Sequence, residues 1–169
     1  MNSTARKPVN LAKLELLVFD VDGVLTDGRL YFGARGETLK VFHVRDGHGI
    51  KLLMASGVRV AAISGRRSPA VASRMRELGV KTVVQGCKDK VAALEKIARP
   101  LNISLKACGC LVDDTPDMPL MAAVGFSAAV ADAHPLVLRA ADWVARRPGG
   151  LGAARELCDA ILRARAGRR

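Results

Sequence analysis

The sequence predicts an α/β fold: a Rossmann-like parallel sheet with helices on both faces, a small β-hairpin inserted after strand 1, and no cap domain. Short, nearly continuous apolar runs recur along the chain, as strands buried on both faces require. Helical segments with start and stop signals separate these runs, which implies right-handed crossovers over a parallel sheet. One segment breaks the rhythm, and at about 20 residues it has room for a hairpin but not for a domain.

The elements follow in order. Residues 1–13 read as an N-terminal tail, and residues 14–165 as a single domain. The apolar stretch after the tail carries Glu15 and follows Lys13, too short and too charged for a signal peptide, and no run approaches a membrane span. A cytoplasmic protein with no membrane partner is therefore expected. Residues 14–19 form the first strand. Residues 29–32 and 39–42 flank Gly33-Ala34-Arg35-Gly36 as a hairpin of about residues 29–42. A helix begins near Asp46 and closes at Gly57, before a strand at 58–63. Ser68-Pro69 caps the next helix, which Gly79 ends, and residues 80–84 make the third buried run. Asp89 caps a helix running towards Ala98, and residues 110–112 and 126–130 are the last strands. From Gly149 a glycine turn leads into an Arg-rich helix with a frayed, basic end, and residues 166–169 are a C-terminal tail.

Composition narrows the function. Half of the 169 residues are apolar and a quarter are charged, which is globular, and only six are aromatic, so the core is aliphatic. Lys and Arg number 27 against 16 Asp and Glu, a net charge of +11, which points to an anionic partner. Four cysteines suit reduced, buried thiols; Cys108-Gly109-Cys110 has no second Cys or His pair to complete a metal site.

In open parallel sheets, ligands bind beyond the carboxyl ends of the strands. Asp20-Val21-Asp22-Gly23 follows the first run, and Ser64-Gly65-Arg66 the second. Lys88 and Lys90 lie past the third, and Asp113-Asp114 with Asp117 follows the fourth. Carboxylates gathered this closely need a cation, and an all-oxygen set suits Mg²⁺ rather than zinc. In Asp-x-Asp the two side chains diverge, so one can face a phosphorus while the other handles a proton. Ser64 and Lys90 are placed to hold phosphate oxygens.

These segments, in this order, resemble the four motifs of haloacid-dehalogenase superfamily phosphatases. Val44-Arg45-Asp46-Gly47-His48-Gly49-Ile50, Val130-Ala131-Asp132-Ala133-His134-Pro135 and the Gly149-Gly150-x-Gly152 tail are further similar to the capless 3-deoxy-D-manno-octulosonate 8-phosphate phosphatases. The resemblance implies an Mg²⁺-dependent phosphatase acting on that sugar-acid phosphate, in lipopolysaccharide precursor biosynthesis, through an aspartyl-phosphate. Asp20 would be the nucleophile and Asp22 the general acid and base. Asp20, the Asp22 carbonyl and Asp113 would hold Mg²⁺, with Asp114 and Asp117 ordering waters or Lys90. Ser64, Gly65 and Lys90 would bind the phosphoryl group. His43, Val44, Arg45, Asp46, Gly47, Lys51, Arg66 and Arg74, with Asp22 and Lys90, occupy substrate-contacting positions. A homotetramer is implied, with hairpins packed together and a C-terminal tail reaching a neighbouring site. Leu151 stands where many relatives carry arginine, which leaves open the 9-phosphate of a nine-carbon keto-deoxy sugar acid.

Two non-enzyme readings compete. A signalling receiver also gathers aspartates, a hydroxyl and a lysine on a parallel sheet, but its paired acids precede a separate phospho-accepting aspartate. A nucleic-acid module would explain the net charge. The chain has no stacking aromatics or nucleic-acid motif, so no nucleic-acid partner is expected.

Overall fold

In the computed structural model, which describes residues 11–167, the chain runs β1 (Leu16–Phe19), β2 (Tyr31–Gly33), β3 (Gly36–Leu39), α1 (Val44–Ala55), β4 (Arg59–Ser64), α2 (Pro69–Leu78), β5 (Thr82–Gln85), α3 (Lys90–Ala98), β6 (Cys108–Val112), α4 (Met118–Ala123), β7 (Phe126–Ala129), α5 (Pro135–Ala140), β8 (Trp143–Val144) and α6 (Ala153–Ala166). Six strands form a parallel sheet in the order β5-β4-β1-β6-β7-β8, and β2 and β3 pair apart from it as a hairpin. β1 is central: Leu16 lies beside Arg59 on one edge and Cys108 on the other. Its four apolar residues are fully buried. Each such side chain contributes roughly 1.5–3 kcal/mol relative to exposure, which is why an uninterrupted run reads as an interior strand.

From β1 the chain crosses through α1 and α2 to β4 and β5, then returns through α3 to β6 on the other side. With right-handed crossovers, α1 and α2 cover one face and α3, α4 and α5 the other. α6 packs on α1 and completes the first layer. The reversal falls between β1 and β6, so a crevice opens at their carboxyl ends.

Several details differ from the sequence reading. The second hairpin strand is Gly36–Leu39 rather than 39–42: Ala34 and Arg35 alone make the turn, and Gly36 takes φ +102° to start the return. Trp143 lies in β8, a two-residue edge strand too short to leave an apolar run in the sequence. Ser68 holds the N-cap position of α2 without a side-chain capping bond; its N–H donates to Gln85 Oε1 at 2.7 Å. Residues 11–13 form a 3₁₀ turn packed on α6. Arg165 is not part of a solvated end, because its guanidinium donates to the carbonyls of Ala12, Leu14 and Ser56 at 3.1–3.2 Å. Residues 1–10 and 168–169, including Arg168 and Arg169, lie outside the described residues.

Asp46 joins the two helices of the first layer. It is buried near the start of α1, and its carboxylate accepts from the N–H groups of Gly152 (3.2 Å) and Arg155 (2.7 Å) at the start of α6. Burial raises its pKa, and these two donors work against that rise. Gly152 is the N-cap of α6 and brings no side chain, so Asp46 caps the helix from a distance. Asp46→Ala should destabilise the protein by about 1–2 kcal/mol, lowering the melting temperature by roughly 3–6 °C in a thermal scan. An unchanged melting temperature would mean that water caps α6 equally well.

Candidate active site

The site is assembled where β1 and β6 end. The Asp20 N–H donates to the Leu111 carbonyl at 3.1 Å, extending the strand pairing by one residue and setting the buried Asp20 at the mouth of the crevice. The chain then coils back: the N–H groups of Leu25 and Thr26 both donate to the Val21 carbonyl. Gly23 has φ +87°, and a Cβ there would stand 2.1 Å from Asp113 Oδ2. Glycine thus satisfies both the left-handed turn and the close passage of Asp113.

Asp20, Asp113 and Asp117 each offer one carboxylate oxygen, all within 4.8 Å of one another. Lys90, at the start of α3, places Nζ 2.8 Å from Asp20 Oδ1 and 2.6 Å from Asp117 Oδ1. Burial works against its charge, but Asp20 and Asp117 outweigh that and hold the Lys90 pKa above its ordinary value. Burial, followed by the Asp20 charge, pushes the pKa values of Asp113 and Asp117 up. One ammonium facing three carboxylates leaves a formal excess of two negative charges. A hard divalent cation with oxygen ligands fits both that charge and that donor set.

Asp22 faces other partners. Its Oδ2 accepts from Ser64 Oγ at 3.2 Å, and Ser64 Oγ accepts the Arg66 N–H at 3.1 Å. Its Oδ1 is paired with Lys40 Nζ. The divergence expected of an Asp-x-Asp at a strand end is present: Asp20 joins the carboxylate cluster, and Asp22 joins Ser64 and the hairpin. Lys40 was not among the residues singled out from sequence. It also lies 3.1 Å from Glu37 Oε2, which in turn pairs with Arg66 Nη2 at 3.2 Å. Burial opposes the Glu37 charge, but hydrogen bonds from Ser68, Lys40 and Arg66 hold its pKa below the ordinary value. Neither Lys40 nor Glu37 belongs to a spacing motif. The available signal was position alone, since a hairpin after the first strand must leave from the same rim as Asp20 and Asp22.

The remaining sequence-named residues divide. Asp114 is exposed and accepts the Thr115 N–H at 2.7 Å, and it lies outside the three-carboxylate group. Gly65 is exposed on the loop after β4. His43 caps α1, its Nδ1 accepting the Arg45 N–H at 3.2 Å. Val44 and Lys51 are exposed on α1. Arg45 lines a cleft of about 300 Å³ with Arg147, Arg155 and Glu156, and no member of the carboxylate cluster is in its walls. Gly47 is buried beneath Arg74, whose Nη1 pairs with Glu77 at 2.9 Å. The structure thus brings Asp20, Asp22, Ser64, Arg66, Lys90, Asp113 and Asp117 to one rim, while Asp46 and Arg74 make contacts within the scaffold.

The cysteines are all free, and three of them are buried. Burial, followed by the Glu15 charge, pushes the Cys108 thiol up to about 11 and burial pushes Cys110 further, so both remain thiols. Among the described residues no helix is long and apolar enough to cross a membrane.

Residues 83–155 match the family model described as haloacid dehalogenase-like hydrolase. The chain is 47% identical over 151 residues to the 3-deoxy-D-manno-octulosonate 8-phosphate phosphatase of Yersinia pestis, spanning 89% of this chain and 81% of that protein. It superposes with a TM-score of 0.90 on the cobalt-bound deoxy-D-mannose-octulosonate 8-phosphate phosphatase of Haemophilus influenzae, at 43% identity, over 93% of this chain and 92% of that one. The Moraxella catarrhalis 3-deoxy-D-manno-octulosonate 8-phosphate phosphatase, solved with a magnesium ion, a phosphate ion and a KDO molecule, gives a TM-score of 0.90 at 35% identity, covering 94% and 91%.

Proposed function

Since the chain belongs to the 3-deoxy-D-manno-octulosonate 8-phosphate phosphatases of the haloacid dehalogenase-like hydrolases, we propose that it removes phosphate from that sugar acid through an aspartyl-phosphate on Asp20. The observation that carries the mechanism is the separation of the two aspartates. Asp20 lies in the carboxylate cluster beside Lys90, and Asp22 is held next to Ser64.

A phosphate monoester carries about −1.5 to −2 charges near neutral pH, so a site of carboxylates alone would repel it. Asp20, Asp113 and the Asp22 carbonyl would hold Mg²⁺, with Asp117 beside them holding Lys90. The ion would supply positive charge that draws the phosphate in and offsets charge in the transition state. An Asp20 oxygen attacks phosphorus as the bond to the sugar oxygen breaks, and Asp22 gives that oxygen a proton. Asp22 then takes a proton from the water that attacks the same phosphorus and releases Asp20. Ser64, the Gly65 amide and Lys90 hold the phosphoryl oxygens through both steps.

The hairpin exposes Leu30, Phe32, Leu39 and Val41, an apolar surface that suits association into the proposed homotetramer. The product would enter lipopolysaccharide precursor synthesis. Leu151, half-exposed in the glycine-rich tail, bears on which sugar acid is preferred. Assays of phosphate release with Mg²⁺ should show a higher kcat/KM for the eight-carbon 8-phosphate than for the nine-carbon keto-deoxy sugar acid 9-phosphate. The reverse order would reassign the substrate and leave the phosphatase chemistry in place.

A further inference from the structure

Lys40 has the most deeply buried cationic side chain among the ion pairs of the described residues. It follows β3, on a hairpin whose neighbouring apolar side chains are exposed, yet its own side chain is only 1% exposed. A lysine is almost never buried this fully without partners. Its partners are Asp22 Oδ1 and Glu37 Oε2, and the contacts close into a ring. Lys40 holds Asp22, Asp22 accepts from Ser64 Oγ, and Ser64 Oγ accepts from the Arg66 N–H. The Arg66 guanidinium returns to Glu37, which pairs with Lys40. No member of this ring is a carboxylate of the three-oxygen cluster.

Resting on the phosphatase reading above, we propose that Lys40 is a positioning residue for proton transfer: it holds the Asp22 carboxylate in the orientation that serves the leaving sugar oxygen. Ser64 alone fixes one Asp22 oxygen and leaves the carboxylate free to swing about that contact. Lys40 holds the other oxygen, and Glu37 holds Lys40. The hairpin therefore acts on the leaving-group side of the reaction, while Lys90 acts on the phosphoryl side. An alkoxide needs a proton as it departs, whereas 4-nitrophenolate leaves unprotonated. Loss of Lys40 should therefore slow the cleavage of alkyl phosphates selectively.

The test compares kcat/KM, which reports steps up to departure of the leaving group, on 3-deoxy-D-manno-octulosonate 8-phosphate and on 4-nitrophenyl phosphate. Lys40→Met should lower kcat/KM about 100-fold on the sugar phosphate, the scale of a displaced acid–base group, and less than about 10-fold on the aryl phosphate. Glu37→Gln, which keeps the Lys40 charge, should give the same selectivity with a smaller loss, and it decides the matter if Lys40→Met does not fold. Equal losses on both substrates would reduce Lys40 to a structural strut. A rise in KM with unchanged kcat would make it a substrate contact instead. A wild type that cleaves another alkyl phosphate but not this one overturns the substrate and keeps the test, run on that ester; one that cleaves only the aryl ester overturns both readings.

Discussion

Asp20→Asn is expected to abolish phosphate release, by roughly 10⁴-fold or more, while the protein stays folded. The amide has the shape of the carboxylate and can still accept from Lys90, now 2.8 Å from Asp20 Oδ1. What it lacks is the charge and the nucleophilic oxygen. The Asp20 charge is also the largest electrostatic cause of the raised pKa values of Asp113 and Asp117, so removing it relieves repulsion within the cluster. The melting temperature should hold or rise as activity disappears. Phosphate release and circular-dichroism melting on the same preparation separate the two effects. Activity within tenfold of the wild type would eliminate the aspartyl-phosphate route.

Gly149→Ala should also be damaging, although position 149 contributes no functional side chain. A Cβ on Gly149 would stand 1.7 Å from the Gly23 carbonyl oxygen, and the obstacle is main chain that cannot rotate away. The Gly149 N–H donates to Asp132, and the Gly150 N–H donates to the Val24 carbonyl at 2.8 Å, so this turn backs the loop carrying Asp20 and Asp22. To admit the methyl group, one of the two segments must move. Displacing the catalytic loop by about 1 Å can cost on the order of 10²-fold in rate. We expect a loss of kcat of that size or more together with a lower melting temperature. Leu151→Ala, two residues away and half-exposed, should leave the melting temperature unchanged. Wild-type kcat in Gly149→Ala would show that the tail seats elsewhere in the working enzyme.

The parallel sheet was legible because buried strands are written as apolar runs, and the rim because polar groups follow those runs. Asp20, Ser64, Lys90 and Asp113 could be placed from chain order alone. Lys40 and Glu37 could not, since their role depends on how the hairpin folds back over the loop after β4, and an exposed hairpin carries little pattern. Asp46 was legible as a motif member, but its partners lie more than 100 residues away at Gly152 and Arg155. Arg165 illustrates the opposite case. Composition placed it in a solvated basic end, yet it donates to three carbonyls that no sequence pattern marks. The charge excess is partly explained in the same way: several cations are tied to the scaffold, and Lys90 and Arg66 stand at the rim.

The strand order has a consequence for biosynthesis. Among the described residues the central strand β1 precedes both of its neighbours, since β4 and β6 begin only at residues 59 and 108. During translation the Leu16–Phe19 run must emerge with both edges unpaired, and it acquires its second neighbour only after residue 108 has been added. Such long-range closure slows folding and leaves an apolar strand available for wrong partners in the meantime. The nascent chain is therefore most vulnerable to aggregation before β6 appears, and a ribosome-associated chaperone would have its greatest effect in that interval.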